Sequence, residues 1–173
     1  TEEFADEFAD ITSDQPTAYA NDCTIESDLE ILFPASFVPQ ESERILLYQE
    51  LDNMEREDEV EAFCKRLEDR FGKIPKQARE LILIVALRRK AKMLGIEKIV
   101  LKQGRMTMFF VSAENAAYYQ SNAFGRILTY LQKNVRRCEL REVKARRSMV
   151  VANVRSVEEA DSIITTIATS ESC

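Results

Sequence analysis

Histidine is absent from this sequence of 173 residues, and glycine and proline occur only four times each. Without an imidazole, the chain lacks the usual base of Ser-His and Cys-His catalysis and the commonest side-chain ligand of zinc. The few glycines are too dispersed to form a phosphate-binding loop. With 45% hydrophobic and 31% charged residues, the composition excludes collagen-like and wholly disordered classes and is typical of a helix-rich globular protein.

The cysteines and the apolar runs are also sparse. No two cysteines form the CxxC pair of metal centres and redox couples; they are Cys23, Cys64, Cys138 and Cys173. The longest uncharged apolar run covers residues 81–87, whereas a membrane helix needs about 20 residues. No secretory leader pattern opens the sequence. We therefore expect reduced thiols, no cofactor, no membrane contact and a cytoplasmic location.

Charge is distributed unevenly along the chain. Residues 1–43 contain twelve acidic residues and no basic one, while the remaining residues carry 18 acids and 24 bases. A block of like charge with few large apolar residues favours an extended state. We predict an acidic, largely flexible linker over residues 1–23, with one helical turn marked by Phe4 and Phe8, and a folded domain over residues 24–173.

Hydrophobic periodicity predicts the elements of the folded domain. Alternation predicts strands at 24–33 and 138–142, and runs rich in β-branched and other large apolar residues predict strands at 96–101, 105–111 and 148–154. The strands at 96–101 and 105–111 should form a hairpin, and those at 138–142 and 148–154 should pair. Helical spacing predicts helices over 42–54, 57–71, 76–94, 122–134 and from 157 onward, with 113–120 left open. The first of these helices has an apolar stripe and a polar opposite face, and the third should be central. The fold class is therefore α+β: a single compact domain with a mostly antiparallel sheet, covered on one side by about five helices.

Two kinds of charged cluster could carry chemistry. Neighbouring carboxylates such as Asp58 with Glu59 lie in first helical turns, where capping and the helix dipole explain them. The stretch from Arg126 to Arg155 is strongly basic, and its candidate nucleic-acid contacts are Arg136, Arg137, Arg146 and Arg147. A solvated surface that protects a sheet edge explains the same residues, because no stacking aromatics are interleaved with them. Both interpretations stay open.

Three segments carry a family resemblance: residues 32–48 (LFPASFVPQESERILLY), residues 67–75 (LEDRFGKIP) and residues 92–96 (KMLGI). In this order and spacing they resemble the C-terminal regulatory domain of bacterial transcription-repair coupling factors, the Mfd family. The resemblance covers about residues 24–169.

The resemblance implies a non-catalytic domain of an ATP-dependent DNA translocase, which displaces stalled RNA polymerase and recruits the excision-repair protein UvrA. The motor would lie upstream, and the acidic segment would be its tether. Such a domain docks on a UvrB-like N-terminal module of the same protein, masking the UvrA-binding surface. The docking edge of the family corresponds here to Arg66, Asp69 and Arg70.

Overall fold

Residues 19–170, the part of the chain that the computed structural model describes, contain six helices and five strands. In chain order these are β1 Thr24–Ser27, α1 Glu41–Asp52, α2 Glu57–Phe71, α3 Lys76–Met93, β2 Ile96–Lys102, β3 Arg105–Phe110, α4 Ala116–Tyr119, α5 Asn122–Lys133, β4 Cys138–Val143, β5 Arg146–Ala152 and α6 Val157–Thr169. The predicted α+β class is confirmed. The predicted turn at Phe4 and Phe8, most of the predicted linker and Cys173 lie outside the described residues.

Local hydrogen bonds fix both ends of α2. At its start, the Glu59 carboxylate accepts the backbone N–H groups of Glu55 and Arg56, both at 3.1 Å, and these bonds lower the pKa of Glu59. At its end, Gly72 has a φ of 90° and donates its N–H to the carbonyl of Glu68 at 3.0 Å. The short connection that follows leads directly into α3, so the two helices are antiparallel neighbours.

The strands form one sheet in the order β1-β2-β3-β5-β4. Hairpins β2–β3 and β4–β5 each have a two-residue turn. Their φ values are 55° at Gln103, 73° at Gly104, 49° at Lys144 and 62° at Ala145, which fits the positive φ of type I′ turns. β3 pairs antiparallel with β5, and β1 pairs parallel with β2. The predicted hairpin, the pairing of the last two strands and the mostly antiparallel sheet are confirmed.

The first strand is shorter than the alternation over residues 24–33 predicts. It ends at Ser27, whose hydroxyl oxygen accepts the N–H of Leu29 at 2.9 Å. The Asp28 carboxylate accepts the N–H of Gln103 at 2.9 Å. These side-chain bonds turn the backbone away from the ladder. The apolar residues that follow pack into the core of the domain instead of extending the strand.

The open stretch 113–120 contains the short helix α4. The side chain of Asn115 caps it by accepting the N–H of Tyr118 at 3.1 Å. The Tyr118 hydroxyl donates to the carbonyl of Leu94 at 2.6 Å. This helix brings the domain to six helices where about five were predicted, and it ties the end of α3 to the sheet.

Buried side chains form two clusters. The sheet core joins the inner face of the sheet to α3, α5 and α6 and includes Ile99, Met108, Phe110, Tyr118, Ile127, Met149 and Ile164. The helical core joins α1, α2 and α3 and includes Phe33, Val38, Leu51, Phe63, Leu67 and Val85. Helix α3 contributes to both clusters, as expected of a central helix. Within residues 19–170, no helix has the length and apolarity needed to cross a lipid bilayer.

Candidate docking site

The three residues that the resemblance assigns to docking lie on one side of α2. Arg66, Asp69 and Arg70 are exposed and follow the i, i+3, i+4 spacing of a single helical surface. Phe63 and Leu67, on the adjoining side of the helix, are buried in the helical core. We define the docking face as these three residues together with the neighbouring residues of α1, namely Glu43, Leu46 and Glu50.

Two ion pairs join α2 to α1 across the docking face. Arg66 donates a hydrogen bond to the carboxylate of Glu50, and Arg70 donates one to the carboxylate of Glu43. The bond from Glu50 raises the pKa of Arg66. Both arginines are more than half exposed, so each pair contributes about 0–1 kcal/mol to stability. These pairs position the arginines more than they stabilise the fold.

Aromatic rings also hold the two arginines. The guanidinium carbon of Arg66 lies 5.6 Å from the ring centroid of Phe63, and that of Arg70 lies 4.7 Å from the ring centroid of Phe71. Phe71 packs in turn on Phe37, with ring centroids 5.7 Å apart. Cation–π contacts of this kind contribute roughly 0.5–1 kcal/mol at exposed sites. The arginines are therefore preorganised before any partner arrives.

Asp69 differs from the two arginines. Its side chain is exposed and has no ion pair or hydrogen bond to any of residues 19–170. It lines a shallow cavity of about 410 Å³ between α1 and α2 that also exposes Leu46. The docking face thus combines two fixed cations, one free carboxylate and an apolar side chain.

Sequence reasoning missed the apolar component. The prediction that the outer face of α1 is polar is wrong, because Ile45 is 47% exposed and Leu46 is 64% exposed. Leu47, the next residue, is buried in the helical core. Three consecutive apolar residues cover about 200° around a helix, which is wider than one buried stripe. This local excess of apolar residues is the signal that could have revealed the exposed pair.

The thiols of the described residues are separate from one another and are held in their neutral form. Burial raises the pKa of Cys23 to about 12, and burial with the nearby charges of Glu68 and Glu61 raises the pKa of Cys64. No three His, Cys, Asp or Glu side chains among residues 19–170 are grouped in a way that could hold a metal ion.

The four candidate nucleic-acid contacts form two groups near opposite ends of β4. Arg137 immediately precedes β4 and donates to the carbonyls of Ala152 and Asn153, whereas Arg146 and Arg147 follow the turn at the other end of that strand. Six strand residues separate the two groups by about 20 Å. Arg136 is exposed beside Arg137. Arg146 forms an ion pair with Glu97 at 3.9 Å, and Arg147 forms one with Glu142 at 3.4 Å.

Comparison with known proteins agrees with the resemblance. Residues 27–121 match the TRCF domain family. The transcription-repair-coupling factor of Escherichia coli (strain K12) is 36% identical over 75 residues, which are 43% of this chain and 6% of that protein. The transcription-repair-coupling factor of Buchnera aphidicola subsp. Acyrthosiphon pisum (strain APS) is 31% identical over 112 residues, 63% of this chain and 12% of that protein. The chain thus spans only a small part of the length of either curated relative.

The fold itself has a counterpart among solved structures. A crystal structure of the C-terminal domain of transcription-repair coupling factor matches with a TM-score of 0.68 and 15% sequence identity, covering 86% of this chain and 93% of that one. At this identity the match shows a shared fold. The family match extends over more than half of the chain. The chain therefore belongs to the TRCF domain family, the C-terminal domain of transcription-repair coupling factors.

Proposed function

We propose that this chain is an autoinhibitory interaction domain, which docks on a UvrB-like N-terminal module of the same protein and masks the surface that UvrA would use. In this proposal the parent protein is an ATP-dependent DNA translocase that displaces stalled RNA polymerase and recruits nucleotide-excision repair. The chain itself acts by binding and carries no catalytic residue. The docking face supports this function, because its free Asp69 carboxylate and exposed Leu46 lie beside two preorganised arginines.

The docking face favours a partner with a basic side chain and an apolar contact. A guanidinium or ammonium group that reaches Asp69 gains a charge-assisted hydrogen bond without breaking an existing pair. An acidic group aimed at Arg66 or Arg70 must compete with the carboxylates of Glu50 and Glu43. Complementary charge therefore selects the orientation of the partner, while contact with Leu46 adds buried apolar area.

Such a domain regulates only if it binds one state of its parent more tightly than another. A flexible tether gives an effective concentration of roughly 1 mM, so a contact with a Kd of about 1 μM stays about 99.9% closed. Opening then costs about 4 kcal/mol, which RNA polymerase binding would have to supply. A weak and polar docking face meets this requirement, since a tighter contact would not release.

The test is to titrate the isolated N-terminal module of the same protein against this chain and to measure binding by calorimetry or fluorescence anisotropy. We expect binding in the micromolar range that weakens with added salt, and Asp69→Arg should reduce the affinity by about tenfold or more. The matched control is Glu114→Arg, which reverses an exposed acid outside the docking face. Unchanged affinity for Asp69→Arg, or equal losses for both variants, would contradict the proposal.

A further inference from the structure

A second and larger groove runs along the side of α2 that faces away from the docking face. It has a volume of about 730 Å³ and lies between α2 and α3. Its apolar floor consists of Val60, Cys64, Ile74, Ile82, Leu83 and Ala86. Val60, Cys64, Leu83 and Ala86 remain partly exposed although they belong to helices of the helical core region. The groove therefore offers an apolar surface long enough for a helical segment.

Charge changes sign along this groove. Because α2 and α3 are antiparallel, the start of α2 adjoins the end of α3, where Arg89 donates to the carbonyl of Glu55 at 3.5 Å. Glu57 and Glu61 outnumber Arg89 here, so this end is net acidic. The opposite end is basic, since only Glu68 accompanies four cations there: Lys65, Lys73, Lys76 and Arg79. Among residues 19–170, none of these cations forms an ion pair.

The buried carboxylate in the middle of the groove does not alter this pattern. Glu80 is nine-tenths buried and accepts the backbone N–H of Glu158 at 3.4 Å. This bond links α3 to the start of α6 and uses the carboxylate within the domain. The exposed Glu158 side chain also lines the groove, so the charges available to an occupant are this carboxylate, the acidic end and the basic end.

The sequence contains a segment with matching properties. Phe4, Phe8 and Ile11 follow the i, i+4, i+7 spacing of one helical stripe. Four of the acids in residues 2–12 fall within residues 2–7, and only Asp10 lies in the remainder. The segment thus combines an apolar stripe with a strongly acidic first half, and both properties complement an apolar groove that has one basic end.

The point where this segment joins the described chain sets its direction. The N–H groups of Tyr19 and Ala20 donate to the carbonyl of Lys92 at 3.1 and 3.2 Å, so the chain enters at the end of α3 that adjoins the acidic end of the groove. Residues 13–18 reach at most about 20 Å when extended. Residues 2–12 as a helix are about 16 Å long, close to the roughly 15 Å between Arg89 and Arg79 along α3.

We propose that residues 2–12 of this chain bind in the groove between α2 and α3 as an amphipathic helix, with Phe4 and Phe8 on its apolar floor. The direction of entry places the weakly charged end of the segment near Glu57 and Glu61 and its acidic end near Lys73 and Lys76. Binding within the same chain needs little intrinsic affinity, because the six-residue connection gives a high effective concentration. The occupied groove and the docking face then lie on opposite sides of one helix, α2.

Alkylation of Cys64 by iodoacetamide tests this binding in the full 173-residue chain, because Cys64 lies on the groove floor. Cys173→Ser is used throughout, and Cys23 and Cys138 are buried. We expect Phe4→Ser with Phe8→Ser to speed alkylation by about tenfold or more, since the groove is then unoccupied. The matched control is Ala5→Ser with Ala9→Ser, which changes the same segment outside the Phe4–Phe8–Ile11 stripe and should leave the rate close to that of the parent. Equal rates in the parent and the phenylalanine variant would overturn the proposal.

A charge exchange sharpens the test. Lys73→Glu with Lys76→Glu should also speed alkylation, and adding Glu3→Lys with Glu7→Lys should restore slow alkylation, because the opposite charges then face each other again. Failure of this rescue would overturn the proposed direction of binding. A rate that falls as the protein concentration rises would show that a neighbouring chain supplies the segment, which overturns binding within one chain.

Discussion

The sheet core and the helical core hold their aromatic side chains differently. In the sheet core, the buried Tyr118 donates its hydroxyl to Leu94 and packs against Tyr119 and Phe124, with ring centroids 4.7 and 5.5 Å away. In the helical core, Phe63 has apolar neighbours inside, while Arg66 of the docking face lies over its ring. The aromatic cluster of the sheet core is enclosed by backbone and helices, whereas that of the helical core lies just beneath the molecular surface.

This difference separates a scaffold from a binding surface. The sheet core is bounded by ladder hydrogen bonds and by α3, α5 and α6, so its side chains have little room to rearrange. The helical core is bordered by the docking face and by the larger groove, both of which expose side chains of α2. We infer that changes in the sheet core affect mainly stability, whereas changes of the exposed side chains of α2 affect mainly binding.

The largest expected effect comes from adding a methyl group beside Tyr118. At Gly95, which has a φ of 78°, a Cβ would lie 2.2 Å from a ring carbon of Tyr118. Left-handed strain and overpacking each cost about 1–3 kcal/mol, so Gly95→Ala should lower the free energy of unfolding by about 2–6 kcal/mol in urea denaturation. The control is Gly72→Ala in the helical region, where φ is 90° but nothing lies within 4 Å of the added Cβ. There the strain alone costs about 1–3 kcal/mol, and a larger loss at Gly72 than at Gly95 would contradict the comparison.

An intermediate effect is expected at alkaline pH. Burial, together with the charge of Asp22, raises the pKa of Cys23 from 9.0 to about 12. The unfolded thiol ionises above about pH 9 while the folded thiol stays neutral, so stability that is complete below this pH is lost as the pH rises toward 12. Urea denaturation should show that raising the pH from about 8 to about 10 costs the parent about 1 kcal/mol more than Cys23→Ala. An identical pH dependence in both proteins would show that Cys23 is not the source.

The smallest expected effect concerns two ion pairs. In the sheet core region, Lys90 lies 3.1 Å from Asp161, and these side chains are only 25% and 18% exposed. Lys90 also donates to the hydroxyl of Thr165 at 2.8 Å. A double-mutant cycle with Lys90→Met and Asp161→Asn should give a coupling energy of about 1 kcal/mol.

The matched cycle uses the docking face. Arg66→Gln with Glu50→Gln should give a coupling energy of about 0.5 kcal/mol or less, because these side chains, 56% and 38% exposed, are more accessible to solvent than Lys90 and Asp161. Thermal or urea unfolding of the four proteins in each cycle provides the values. Coupling at Arg66 equal to or greater than that at Lys90 would remove the distinction between the two regions.

Elements whose ends depend on nearby residues could be predicted from the sequence. The start of α2, which the Glu59 carboxylate caps, and its end at Gly72 follow from capping groups within a few positions, and the turn at Gln103 and Gly104 follows from the glycine. The second hairpin has Lys144 and Ala145 at positive φ without a glycine to mark it. The early end of β1 also depends on a distant partner, since the Asp28 carboxylate accepts the backbone N–H of Gln103 in the turn between β2 and β3.

The same division applies to the docking face. Helical spacing alone places Arg66, Asp69 and Arg70 on one side of α2. Nothing in that spacing reveals that Glu50 and Glu43 occupy the two arginines and leave the aspartate free. The exposure of Leu46 likewise depends on how α1 is rotated over the helical core.

The sequence by itself determined the five longer helices and the pairing within both hairpins, the absence of a histidine-based site and the sharing of one helical surface by the three docking residues. Only the tertiary structure decided which charges of that surface are already paired, and that α2 has a groove on its other side. Periodicity, caps and turns act over a few consecutive residues, so they can be read locally. The angle and rotation between helices depend on the combined packing of side chains far apart in the chain, which no local pattern specifies.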